Sequence, residues 1–165
     1  MKRVILDTNI YGLIVEKEHV EEVKELSRIR RDIVIYGFDI IRHELRNVSK
    51  NTFFRGHKLR VILLNLYDRM VKNHALQKTR LVENLASDYY STYIKLFGYM
   101  PKERMFNDFL IVACASINEL DIVVSEDNKT MLSEYAIKTY DTVNSLRTHK
   151  TPKFIRYEEF RRLFS

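Results

Sequence analysis

One cysteine, Cys114, stands in the 165 residues, which excludes an internal disulfide and a thiolate zinc cluster and suits a reducing compartment. Gly and Pro are also scarce, at 4 and 2, and no Gly-, Ser- or Pro-rich run divides the chain. No linker is visible, and a single domain spanning residues 1–165 is expected. Long hydrophobic runs are missing as well. The longest, Phe109 to Ala115, falls far short of the ~20 residues that cross a bilayer. Asp7 interrupts the apolar Val4-Ile5-Leu6 before it reaches the roughly 7–15 residues of a signal-peptide core. These absences predict a soluble, cytoplasmic chain with no membrane segment.

The remaining composition is ordinary, with 45% hydrophobic and 30% charged residues, which excludes a disordered or fibrous chain. The formal net charge is +6, favouring anionic partners such as nucleic acid. Its distribution says more than its total. Between Arg42 and Arg80 there are 10 basic residues against only Glu44 and Asp68, whereas the rest of the chain is close to neutral. Arg42, Arg46, Lys50, Arg55 and Lys58, with Phe53, Phe54 and Tyr67 interleaved, are the residue types that track a phosphate backbone. A solvated helix surface accounts for the same segment equally well.

The chain reads as short apolar strands separated by helices: Val4–Leu6, Ile33–Tyr36, Ile122–Val124 and a fourth around Ile137–Tyr140. Continuously apolar strands of this kind suggest a parallel sheet covered on both faces. Lys58 to Lys72 reads as an amphipathic helix, with Leu59, Ile62, Leu63, Leu66 and Met70 inward. A second helix, from about Leu81 to Phe97, carries Val82, Leu85, Ala86, Tyr89, Tyr93 and Leu96 on one side and stops at Gly98. Phe109 to Ala115 is apolar all round, hence a buried helix, with Asn107 placed to cap it and Asp108 in its first turn.

Four acids occupy special places in this pattern. Asp7 follows the first strand and Asp127 the third, at the carboxyl edge where open parallel sheets gather their ligands. Each is also well placed to cap the following segment. Asp108 marks one end of the buried helix, where the helix dipole favours a negative charge. Glu44 lies three and four residues after Ile41 and Ile40, so it projects toward the core side of a short helix and needs a partner there. Four carboxylates facing one crevice at ~6 Å spacing repel by about 3 kcal/mol per pair at an effective dielectric of ~20. Such a cluster calls for a cation. With no thiolate or histidine cluster to select zinc or copper, the fitting ion is hard and oxygen-seeking, Mg²⁺ or Mn²⁺. The five histidines show no metal-ligand spacing.

The opening Val-Ile-Leu-Asp7-Thr8-Asn9, the mid-chain Glu44, Asn107-Asp108 before the apolar helix, and Val-Val-Ser125-Glu126-Asp127 resemble, in order and spacing, the PIN (PilT N-terminus) domain. The resemblance covers essentially the whole chain. It implies a three-layer α/β/α sandwich with a central, mainly parallel sheet, and an acidic pocket that binds Mg²⁺ or Mn²⁺ and cuts RNA. Carried over by motif, Asp7 and Asp108 are the principal metal ligands and Glu44 and Asp127 complete the catalytic pocket, Asp127 also as a ligand. Thr8 or Asn9 would orient Asp7, and Ser125 matches the family's hydroxyl residue two before the last acid. The polar Asn128-Lys129-Thr130-Met131 departs from the family's frequent ending, and Glu126 is an alternative to Asp127. Many small members are VapC-type toxins with an antitoxin partner, commonly dimeric, while others process RNA. Two other readings are a non-catalytic RNA-binding module of the same fold and a phospho-accepting receiver domain. Thr8 and Asn9 after Asp7 disfavour the receiver, which expects adjacent acids there.

Overall fold

The computed structural model describes residues 1–164. The chain runs β1 (Lys2–Leu6), α1 (Thr8–Glu16), α2 (Val20–Ile29), β2 (Ile33–Phe38), α3 (Asp39–Arg46), a hairpin of β3 (Phe53–Phe54) and β4 (His57–Lys58), α4 (Leu59–Val71), β5 (Ala75–Leu76), α5 (Arg80–Phe97), α6 (Lys102–Ile117), β6 (Ile122–Val124), α7 (Glu134–Arg147), β7 (Lys153–Ile155) and α8 (Tyr157–Arg162). The main sheet has the order β5-β2-β1-β6-β7 with every neighbouring pair parallel. Parallel pairing requires a crossover between successive strands, and the helices supply it. Helices α1 to α4 pack on one another and α2 to α4 on β2, while α5, α6 and α7 form a second group with α6 on β6. The result is the three-layer α/β/α arrangement.

Burial follows from this layering. Val4, Ile5 and Leu6 of β1 and Val123 and Val124 of β6 are fully buried, because strands covered on both faces have no polar side. In α6 every residue from Phe109 to Ser116 is buried, as expected for a helix apolar all round. Two close contacts shape the α4 side. Gly37 on β2 lies where any Cβ would strike the Tyr67 hydroxyl and stand 2.7 Å from Val71 Cγ1, so only glycine lets α4 approach the strand. Tyr67 in turn donates its hydroxyl proton to the Phe38 carbonyl at 3.2 Å.

Some expectations need correction. Residues Ile137 to Tyr140 lie within α7 instead of forming a strand. The four-residue window resembles a strand, but Ala136, Thr139, Tyr140 and Val143 bury at three- and four-residue spacing, and Ser133 caps the helix by accepting from Ala136 N–H at 3.2 Å. The remaining strands of the main sheet are β5 and β7. Helix α6 begins at Lys102, behind Pro101, so Asn107 caps nothing and Asp108 sits in the second turn. Leu96 is exposed on the last turn of α5, and Tyr67 is core, not an interleaved surface aromatic.

Candidate active site

β1 is central, with β2 and β5 on one side and β6 and β7 on the other. The chain therefore switches sides between β1 and β6, the topological switch point where open α/β sheets bind ligands. Asp7 leaves β1 at this point. Its N–H donates to Val124 O at 2.9 Å, and its carboxylate accepts from Thr8 N–H, Asn9 Nδ2 and Ser125 Oγ, each at 2.7 Å. Asp7 is thus both the cap of α1 and the floor of the site, so the capping and functional readings are compatible.

Three other acids face the same cleft from different elements. Glu44, on α3, accepts from the Thr8 hydroxyl through Oε2 and from Asn107 Nδ2 at 2.8 Å through Oε1. These are the partners that a carboxylate on the inward side of α3 requires. Asp108, on α6, and Asp127, after β6, share the hydroxyl of Thr130, which is 2.6 Å from Asp127 Oδ2 and in hydrogen-bond contact with Asp108 Oδ2. Asp127 Oδ1 also accepts from the N–H groups of Lys129 and Thr130 at 2.8 and 3.0 Å. Asp7, Glu44, Asp108 and Asp127 all line one open cleft of about 530 Å³, with Thr8, Asn9, Asn47 and Val48 completing its wall.

The electrostatics of the cleft are set first by burial and then by the neighbouring carboxylates and hydrogen bonds. Burial pushes Asp7 up to about 6, helped by Glu44 and Asp127 and opposed by the bonds from Ser125 and Thr8. Burial likewise pushes Asp108 up to about 7, with the charges of Asp7, Asp127 and Glu44 adding to it and Thr130 opposing it. Burial also acts to raise Asp127, but the Thr130 hydroxyl, two backbone N–H groups and the Lys129 charge outweigh it and hold this acid low. Desolvation and like charge penalise the ionised form, whereas donated hydrogen bonds favour it.

The donor set is entirely oxygen, which fits Mg²⁺ or Mn²⁺. Among the described residues no three acids, histidines or cysteines are gathered tightly enough to enclose an ion by themselves.

No protein-family model matches the sequence. No curated protein matches it either. Among solved structures, VapBC2 from Rickettsia felis, bound to a DNA fragment from its promoter, is similar at 12% identity over 94% of this chain and 98% of that chain, with a TM-score of 0.55. FitAB bound to an IR36 DNA fragment is similar at 17% identity over 93% and 94%, with a TM-score of 0.54. The fold is PIN-like. In this PIN-like frame no described helix is long and apolar enough to cross a membrane.

Two site residues escaped sequence reasoning. Thr130 lies in the segment noted only as a departure from the family's ending; its signal was a hydroxyl three residues after an acid, the spacing at which Asp and Thr share a tight turn. Asn107, expected as a cap, instead partners Glu44 because α6 starts earlier. Glu126 stays outside the cleft. Its Oε1 accepts from Tyr157 N–H at 2.8 Å and its Oε2 pairs with Arg156 Nη1 at 3.3 Å, so it serves the start of α8 and leaves the pocket to Asp127.

The basic candidates separate into two groups. Arg42 is engaged by Asp68 at 3.0 Å, and Arg55 pairs with Glu18 while lying over the Phe54 ring. Arg46, Lys50 and Lys58 are exposed and make no ion pair among the described residues. Arg46 and Lys50 flank Asn47 and Val48, which put the end of α3 on the wall of the acidic cleft.

Proposed function

We propose that this chain is an endoribonuclease dependent on Mg²⁺ or Mn²⁺ and that it acts as the toxin of a toxin–antitoxin pair. The observation that carries the reading is the meeting of four carboxylates, from β1, α3, α6 and the turn after β6, in one open cleft at the switch point of a PIN-like sheet. VapBC2 and FitAB, whose fold it shares, were both found on DNA fragments, and the proposal assigns this chain a protein partner of the antitoxin kind and an RNA substrate. A homodimer is part of the same reading.

Asp7, Asp108 and Asp127 would hold the metal, with Glu44 at the edge of the set. When bound, the ion lowers the pKa of a coordinated water and neutralises charge developing on the phosphodiester. The chain's own residues do the rest. Ser125, Asn9 and Thr8 fix the orientation of Asp7, Asn107 and Thr8 hold Glu44, and Thr130 sets Asp108 against Asp127. Ligand orientation by such outer contacts commonly changes metal affinity by about 10–100-fold. Arg46 and Lys50 would hold the strand beside the cleft by phosphate contacts.

The test is cleavage of single-stranded and hairpin RNA by wild-type and Asp7→Asn protein with Mn²⁺, Mg²⁺ or chelator. Cleavage that needs the ion and is lost in the variant supports the proposal. RNA binding indifferent to Mg²⁺ and without turnover favours the non-catalytic module. A nuclease that no co-expressed small DNA-binding protein inhibits belongs to RNA processing outside any toxin system.

A further inference from the structure

At the opposite end of the strands from the acidic cleft, the sheet has an unfilled edge. β2 extends from Ile33 to Phe38, but β5 pairs with it only at Gly37 and Phe38. In parallel pairing, alternate residues turn their N–H and C=O groups to one neighbour or the other. Gly37 N–H donates to His74 O on the β5 side, so Ile35 and Ile33, two and four residues earlier, present their backbone groups on that same side. No described strand faces them there. They belong instead to the floor of a groove of about 280 Å³.

The groove has a charge of one sign. Arg28, Arg30, Arg31 and Lys72 line it with no acid among its lining residues. Arg28 and Arg30 are paired outside it, with Glu25 at 2.6 Å and Asp32 at 2.8 Å, while Arg31 and Lys72 make no ion pair among the described residues. An open strand edge invites another strand, and basic walls select which one.

We propose that this groove binds an acidic, extended polypeptide segment of a partner protein as an added strand beside Ile33–Ile35. Adding a strand satisfies backbone donors and acceptors together and leaves side chains to set specificity. Two other occupants fit less well. A nucleic-acid backbone offers phosphate acceptors and, in RNA, a single hydroxyl donor per nucleotide, a poor match to the paired N–H and C=O groups that Ile33 and Ile35 each present. A second copy of this chain would bring like charges together, since the same four cations line its own groove. The edge is about three residues long, ~10 Å at strand spacing, so the docking segment is short.

The test uses the full chain with an end-blocked octapeptide alternating Glu and Val, followed by fluorescence anisotropy and amide hydrogen exchange. A Lys/Val counterpart and a Glu/Val peptide N-methylated at alternate residues are the controls. The expected result is binding at least tenfold tighter than either control, with slowed exchange at the Ile33 and Ile35 amides. Affinity should fall at least tenfold in Arg28→Glu/Arg31→Glu and severalfold in the milder Arg31→Gln, with melting temperatures near that of wild type because both side chains are exposed. Equal binding of the N-methylated peptide, or slowing of those two amides by single-stranded RNA and not by the acidic peptide, overturns the proposal.

Discussion

Ser125 Oγ donates to Asp7 Oδ2 at 2.7 Å across the junction of β6 and β1. Ser125 is fully buried, and its oxygen also accepts from Asp127 N–H at 3.0 Å. One hydroxyl thus orients two of the four acids. Ser125→Ala is expected to weaken Mn²⁺ binding about 10–100-fold, and to push Asp7 further above its present value of about 6 because a bond favouring the carboxylate is lost. Isothermal titration with Mn²⁺ measures the first effect and a carboxyl NMR titration the second.

Without metal, the acids of the cleft should make stability fall as pH rises. Asp7 and Asp108 have folded-state values of about 6 and about 7 against an ordinary 3.8, so between pH ~4 and ~7 the native state holds more protons than the unfolded chain. Their favourable share is complete below the unfolded value and is lost as pH passes through 6 to 7. Thermal melts in chelator should therefore show lower stability at pH 8 than at pH 5.5, by a few kcal/mol at most, with Mn²⁺ restoring part of the loss at pH 8. A melting temperature that is flat over this range in chelator argues against the raised values.

The cost of a buried charge among like charges makes a prediction for Asp108 itself. Asp108→Asn removes one charge at nearly constant volume and keeps an acceptor for Thr130. In chelator at pH 8 it should be as stable as wild type or more stable by about 1–2 kcal/mol. Chemical denaturation measures this, and a loss of several kcal/mol would mean that the charge itself supports the fold.

Thr130→Val takes away the hydroxyl that Asp108 and Asp127 share, whereas Thr130→Ser keeps it. The valine variant should lose about 1 kcal/mol of stability and most of its Mn²⁺ affinity, and the serine variant should retain both. Equal affinity in the two variants would show that the backbone N–H groups of Lys129 and Thr130 suffice to place Asp127.

Gly37→Ala addresses the fold instead of the site. The new methyl group would strike the Tyr67 hydroxyl and stand 2.7 Å from Val71 Cγ1, inside a closely packed layer. Overpacking of this kind costs about 1–3 kcal/mol, and a urea melt should show a midpoint lowered by that cost divided by the slope, with the slope itself unchanged.

The strands and helices whose burial is uniform were legible in the sequence. β1, β6 and the apolar part of α6 are buried on all sides, so their composition alone reports their place, and Asp7 and Asp127 could be assigned to one edge once the strands were taken as parallel. Short or marginal elements were not. β5 has two residues and β7 three, too few to show a period, and α7 contains a stretch that a local window reads as strand. Glu44 could be placed because its offset from Ile40 and Ile41 put a charge on an apolar face. Thr130 and Asn107 could not, because their roles depend on which side chains α6 and the turn after β6 bring near them, a tertiary relation that leaves no local spacing to detect.

The measurement that bears most directly on the account is a paired thermal melt and RNA cleavage assay on wild type and Asp108→Asn, each in Mn²⁺, Mg²⁺ and chelator. Mn²⁺ or Mg²⁺ should raise the melting temperature of wild type and switch on cleavage, and both effects should vanish in the variant while its fold persists. Cleavage by wild type in chelator, or undiminished metal-dependent turnover in Asp108→Asn, would contradict this account.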